Sequence, residues 1–253
     1  MNNKTSSEEI LQWLVTAGVD ETIGNEPVDR LNLPVKTAPM QEYRPLRNEI
    51  PLSNTTEQTE SASLAQSASS LEELKEMIFR LDGCSLKETA TNMVFGSGNP
   101  HTELMIIGEA PGAEEDKQGL PFVGASGHLL DLMLASIGLT RSEVYITNIL
   151  PWRPPGNRKP SEAETALFTP FVRRHITLIR PKILLLLGGS AVSALMNTTA
   201  GITKTRGHWM TYTDKDIAID AMASFHPAFL LRTPAQKKYA WRDLLAIREK
   251  LGH

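Results

Sequence analysis

A single cysteine, Cys84, stands in 253 residues. That excludes an intrachain disulfide and any metal site built from several thiolates of this chain. Long apolar runs are missing as well. The longest, ILLLL at Ile183 to Leu187, has the length of a strand and falls far short of the ~18 residues of a membrane span. The first residues, MNNKTSSEEILQWL, have no cationic stretch leading into an apolar core, so neither a signal peptide nor membrane association is expected, and the cytoplasm is the expected compartment. A large net charge is also lacking. The formal −3 points to no partner, but its distribution is uneven: residues 151–253 carry 16 Lys and Arg against 7 Asp and Glu. A basic C-terminal portion in a mildly acidic chain fits a polyanion surface, although a solvated Lys/Arg helix face gives the same count.

Residues 1–18 include SEEILQWLVTA, a short amphipathic helix with Ser7 as its cap, expected as an N-terminal element. Residues 19–69 show little periodicity and contain the polar tract SNTTEQTESASLAQSASS, so they are expected to be a disordered linker. Order is expected over 70–253. Ser70 and Glu73 form a capping box, followed by Leu71, Leu74, Ile78 and Leu81 at helical spacing. Strand patterns at ELMIIG, EVYITNIL, KILLLL and IAIDAMAS then alternate with helical patterns, which implies a parallel sheet covered on both faces.

Ligands of such sheets bind beyond the carboxyl ends of the strands. The residues there are Glu109 in GEAPG, Asn148 in TNILPWRPPGNRKP, Gly188-Gly189-Ser190, and His226 before Pro227. Taken singly, each has a plainer reading: Glu109 as a solvated loop acid, Asn148 as an amide bonding its own backbone, His226 as a structural histidine, Phe122 as core. Gly188-Gly189-Ser190 is either a tight turn with a helix cap or a phosphate cradle. No Lys-Ser/Thr follows it, so it is not a Walker loop, and GEAPG lacks the GxGxxG spacing of a dinucleotide site.

The segments VFGSGNP, GEAPGAEEDKQGLPFVGASG, VYITNIL, RPPGNRKP, LLLLGGSA and SFHPAFLLR, in that order, resemble the uracil-DNA glycosylase superfamily, most of all its family 4. The resemblance runs from about Asp82 to Leu251. It implies a three-layer α/β/α sandwich with a central, mostly parallel four-stranded sheet, and a DNA repair hydrolase that flips uracil out and leaves an abasic site. Phe122 matches the aromatic under the flipped base, Asn148 the amide that reads its polar edge, and His226 the donor to a uracil carbonyl. Glu109, Glu115 and Asn157 match residues implicated in catalysis, with Glu109 or Asn157 expected to hold the attacking water. Gly188, Gly189, Ser190, Arg153 and Arg158 are expected to face DNA, and Leu230, Leu231 and Arg232 to form the wedge that enters the duplex. The implied partner is uracil-containing DNA, single-stranded or mismatched. The protein is expected to be a monomer, with the N-terminal tail a candidate docking element. Glycosylases for hypoxanthine or xanthine, or a non-catalytic nucleic-acid-binding relative, are the alternatives.

Two departures stand out. Family 4 members usually hold a [4Fe–4S] cluster on four cysteines, and the matching positions here are Leu81, Cys84, Trp152 and Phe168. One thiolate does not hold such a cluster, so no cofactor and no metal are expected, with Trp152 buried near Phe168 as a packed substitute. The loop Pro151 to Pro160 also lacks the histidine with which one branch traps DNA covalently, so ordinary turnover is expected.

Overall fold

The computed structural model describes the backbone of residues 53–81 and 84–252, with side chains from Glu60 onward. The helix expected over 1–18 and most of the expected linker lie outside the described residues. The last part of that linker is corrected: Ser53–Ser67 is a helix, α1, packed on a later helix, α6 (Glu162–Ile179). Its buried positions are the small residues Ser61 and Ala65, with Ala68 just beyond its end. Small side chains let two helices approach closely but add almost nothing to apolar periodicity, so the sequence pattern is silent there. The guanidinium of Arg174 on α6 donates to the Ala68 carbonyl from Nε (2.7 Å) and Nη2 (2.5 Å), satisfying an oxygen at the C-terminal end of α1.

Helix α2 (Leu71–Arg80) starts at Ser70, whose hydroxyl accepts from Glu73 N–H at 3.1 Å. The return bond of the expected capping box is shifted by one: the Glu73 carboxylate accepts from Ser69 N–H at 2.7 Å. There follow α3 (Ser85–Thr89), β1 (Ser97–Gly98), β2 (Leu104–Gly108), α4 (Ala113–Gln118), α5 (Ala125–Ala135), β3 (Tyr145–Asn148), α6, β4 (Ile183–Leu187), α7 (Gly189–Met196), α8 (Ile202–Thr205), β5 (Trp209–Asp214), β6 (Ile217–Ser224), α9 (Pro227–Arg232) and α10 (Lys237–Leu251).

The sheet has six strands in the order β1-β3-β2-β4-β6-β5. Its inner four, β3-β2-β4-β6, are parallel and coincide with the four strands read from the sequence. The expected four-stranded sheet is corrected at both edges, where β1 and β5 pair antiparallel. Neither edge strand carries a strong strand signal. β1 is two residues in a glycine-rich turn, and β5 buries only Tyr212. The central strands β2 and β4 are buried at every position, as strands covered on both faces must be.

Alternation along those strands divides the core in two. Met105, Ile107, Leu184 and Leu186 pack with Leu74, Phe171, Ile176 and Val192 of α2, α6 and α7. Leu104, Ile106, Leu185 and Leu187 pack with Leu130, Leu134, Leu230 and Leu244 of α5, α9 and α10. The three layers thus follow from the period of two in the strands. No helix among the described residues is long and apolar enough to cross a membrane.

Candidate active site

The parallel register sets Gly108 beside Asn148 and Leu187 beside Ser224, so the inner strands end along one edge. A cavity of about 450 Å³ opens there. Glu109, Glu115, Phe122, Asn148, Asn157, Arg158, His226 and Arg232 line it, all of them expected from sequence. Its floor depends on a residue whose role sequence reading missed. A Cβ on Gly108 would lie 2.4 Å from Asn148 Oδ1 and 2.7 Å from Phe122 Cζ, so only glycine lets that amide and that ring meet.

Phe122 is buried and sits in the left-handed region at φ 53°, a conformation that a non-glycine residue holds only when its surroundings enforce it. Glu115 Oε1 accepts from Val123 and Gly124 N–H, both at 2.9 Å, and Oε2 from Gly112 N–H at 3.2 Å. Arg141 Nη1 donates to the Pro121 carbonyl at 2.9 Å, and Nη2 donates to that of Phe122. A Cβ on Gly127 would strike the Phe122 carbonyl at 1.8 Å, so α5 is pressed against this backbone. Glu115 was expected among the catalytic groups. Both of its oxygens are occupied by backbone N–H groups, which makes it the anchor of the Phe122 loop. Arg141 gives no sequence signal for this task, because the chain distance of 19 residues to Phe122 hides it.

Asn148 is 5% exposed, and its Oδ1 has no partner within the protein. A buried acceptor left bare costs about 1–3 kcal/mol, and here it lines a cavity. The His226 ring lies 5.4 Å from that of Phe122. Its Nδ1 accepts from Ala228 N–H at 3.2 Å, which fixes the tautomer with hydrogen on Nε2. Burial, helped by the charge of Arg232 and opposed by Glu115, pulls its pKa down to about 4, so the ring is neutral at pH 7. The cavity therefore offers a bare carbonyl oxygen and a neutral N–H donor beside an aromatic ring.

The loop after β3 brings Asn157 to the rim at φ 57°. Arg153, expected to face DNA, is half-buried and bonded within the protein. Its Nε donates to Asn157 Oδ1 at 2.8 Å, and its Nη1 lies 3.8 Å from the buried Asp116 carboxylate. Asp116, unflagged by sequence reading although it adjoins Glu115, also accepts from Thr91 and Asn92 N–H at 2.8 and 3.1 Å. Arg158 is likewise committed, with a two-pronged bond to Glu164 at 2.8 and 2.5 Å that holds the Glu164 pKa down to about 2. Gly189 and Ser190 border a second, larger and more open groove that shares Glu109 with the cavity and takes in Lys159. Gly188 turns at φ 94° with His226 packed against it. In α9, Leu230 is buried in the core, which removes it from the expected wedge, whereas Leu231 is 43% exposed and Arg232 lines the cavity.

Cys84, Trp152 and Phe168 are buried in one core cluster, with Leu81 packed against it. Burial pushes the Cys84 thiol up from its ordinary value, favouring the protonated form. Trp152 lies 6.3 Å from the ring of Phe79, and its indole Nε1 is buried without a partner. A four-iron cluster does not fit this donor set of one thiol and three hydrocarbon or aromatic side chains. Among the described residues, no three His, Cys, Asp or Glu side chains come together as a metal site.

The profile of the Uracil DNA glycosylase superfamily matches residues 95–245. The chain is 41% identical over 185 residues to the Type-4 uracil-DNA glycosylase of Sulfurisphaera tokodaii, covering 71% of this chain and 84% of the relative. It is 38% identical to the Type-4 uracil-DNA glycosylase of Archaeoglobus fulgidus over 72% of this chain and 94% of that one. Against the Type-4 uracil-DNA glycosylase of Saccharolobus solfataricus the identity is 40%, over 67% and 81%.

Proposed function

The chain belongs to the uracil DNA glycosylase superfamily, and we infer from that membership and from the cavity that it hydrolyses the N-glycosidic bond of uracil in DNA, leaving an abasic site. The observation that carries the reading is the bare, buried Oδ1 of Asn148, set beside Phe122 and the neutral N–H of His226. Uracil presents N3–H flanked by two carbonyls. Asn148 Oδ1 accepts from N3–H, its Nδ2 donates to O4, and His226 Nε2–H donates to O2. Extrusion of the base costs about a few kcal/mol, and stacking on Phe122 returns roughly 1–3 kcal/mol.

The C1′–N1 bond then breaks, with its electron pair leaving on uracil and positive charge developing on the sugar. The donated bond to O2 strengthens as negative charge builds there, without a proton having to cross. Glu109 on the rim accepts a proton from the water that attacks C1′. Leu231 fills the gap in the stack, while Gly189, Ser190 and Lys159 meet the backbone. We assign the protein to single-stranded and mismatched uracil-DNA, acting as a cytoplasmic monomer with ordinary turnover. We also propose that it works without an iron–sulfur cluster, with Trp152 and Phe168 filling that volume.

Uracil release from a single-stranded oligonucleotide and from a U·G duplex tests the activity. His226→Ala is expected to lower the single-turnover rate about 10²–10³-fold, the cost of a lost donor to a developing anion, and Asn148→Ala to lower it at least as much. Release of hypoxanthine in place of uracil, or DNA binding without release, overturns the reading. Iron and labile sulfide assays on purified protein test the cluster proposal; stoichiometric iron with absorbance near 400 nm would sink it.

A further inference from the structure

We propose that Arg153, anchored by Asp116, is a positioning residue that fixes Asn157 as a hydrogen-bond donor to the attacking water. The proposal rests on the glycosylase reading above and adds a division of labour on the rim of the cavity.

Asn157 sits in an exposed proline-glycine loop, in the left-handed region, where an unsupported amide would sample several rotamers. Its Oδ1 accepts from Arg153 Nε at 2.8 Å. A guanidinium has donors only, so chemistry decides which way the amide points: the oxygen faces Arg153 and the NH2 group is left for the cavity that Asn157 lines. Arg153 is in turn held. Its Nη1 lies 3.8 Å from Asp116 Oδ2, on a side chain 5% exposed, while Asp116 Oδ1 is fixed by the N–H groups of Thr91 and Asn92. The chain Asp116–Arg153–Asn157 therefore runs from the buried side of α4 to the rim.

With its oxygen turned to Arg153, Asn157 presents its NH2 group, not an acceptor, to the cavity. It donates to the water oxygen, and Glu109 is the carboxylate left to take the proton. The adjacent acids of α4 thus serve two different loops at the cavity: Glu115 sets the Phe122 loop and Asp116, through Arg153, sets the Asn157 loop. Arg153 acts inside the protein, not on a phosphate.

Single-turnover uracil release and affinity for the same single-stranded oligonucleotide separate these roles. Wild-type release establishes the reading on which the proposal rests; the proposal itself is judged on ratios among variants. Arg153→Ala is expected to slow release about 30- to 100-fold, the scale of an ångström-sized misplacement, while affinity changes less than about threefold, within the scatter of a non-contacting site. The double variant Arg153→Ala/Asn157→Ala is expected to be no slower than Asn157→Ala alone. Arg153→Lys should recover little, because an ammonium is a point charge without the fork. Asn157→Asp keeps the shape and the bond to Arg153 but loses the donor, so it should be as slow as Asn157→Ala; because it lies on the surface, it also guards against misfolding of the Arg153 variants. Three outcomes overturn the proposal: near-wild-type release by Asn157→Asp, multiplicative losses in the double variant, or an Arg153→Ala protein that releases uracil normally but binds DNA weakly with a salt slope reduced by about one.

Discussion

His226 shows how one backbone bond sets the chemistry of a side chain. Ala228 N–H, two residues on at the start of α9, occupies Nδ1, so the hydrogen must sit on Nε2. Burial holds the pKa near 4, well below the ordinary value near 6.5. Protonation is therefore resisted throughout the range in which a free histidine titrates. It would leave the Nε2–H in place but put a proton on Nδ1, ending the bond from Ala228 N–H that orients the ring. The single-turnover rate is therefore expected to show no histidine limb near pH 6.5 and to change with the state of this ring only as pH falls through about 4. An inflection near 6.5 that disappears in His226→Gln would contradict the neutral donor. Gly108 shows the complementary case, in which the functional feature is empty space. Gly108→Ala would force the Asn148 amide and the Phe122 ring apart. We expect release to fall about 10²-fold, as for other small misplacements of reacting groups, with a far-UV circular dichroism spectrum unchanged. Asn148 and His226 were legible in the sequence because strand ends locate them. The task of Gly108 was not, because it depends on two side chains that reach the same point from distant parts of the chain.

At the scale of elements, the short helix α4 governs the cavity by what its acids do to the backbone. Glu115 satisfies three N–H groups, two of them in the strap that carries Phe122 in its left-handed conformation. A general base and an anchor differ in what their loss disturbs. Glu115→Gln keeps one acceptor and turns an NH2 group toward backbone donors, so it should release the strap. The expected result is a melting temperature lower by several degrees, corresponding to about 1–3 kcal/mol for unsatisfied buried groups, together with weaker binding of uracil-DNA and slower release. Unchanged stability and affinity with release abolished would instead make Glu115 a catalytic base. The inner strands were legible because continuous burial demands continuous apolar sequence. Helix α1 and the edge strands were not, because Ser and Ala on a buried face, or one buried tyrosine in six residues, leave no periodic apolar trace.

For the whole molecule, the loop after β3 is held by packing at the positions that the resemblance to family 4 matches to cluster cysteines. The loop leaves β3 through Trp152, which is 3% exposed and packed in the same core as Phe168, Cys84 and Phe171, and the next residue is the anchoring Arg153. Packing of this kind couples loop position to core volume directly. Trp152→Ala is expected to cost about 3–5 kcal/mol, the usual range for truncating a buried aromatic, and to slow uracil release through loss of the Arg153–Asn157 geometry. Trp152→Phe should behave differently. The indole Nε1 is buried without a partner, a liability of about 1–3 kcal/mol that phenylalanine removes, offsetting much of the lost area. Chemical denaturation should therefore place Trp152→Phe within about 1 kcal/mol of wild type, the scale of a near volume-conserving swap, with release preserved. On the cluster-free proposal, chelators and reductants should leave all three midpoints unmoved. If Trp152→Phe is as damaging as Trp152→Ala, the indole N–H has a partner and the plug is more than packing; if a chelator lowers the wild-type midpoint, the volume beside Cys84 holds metal after all.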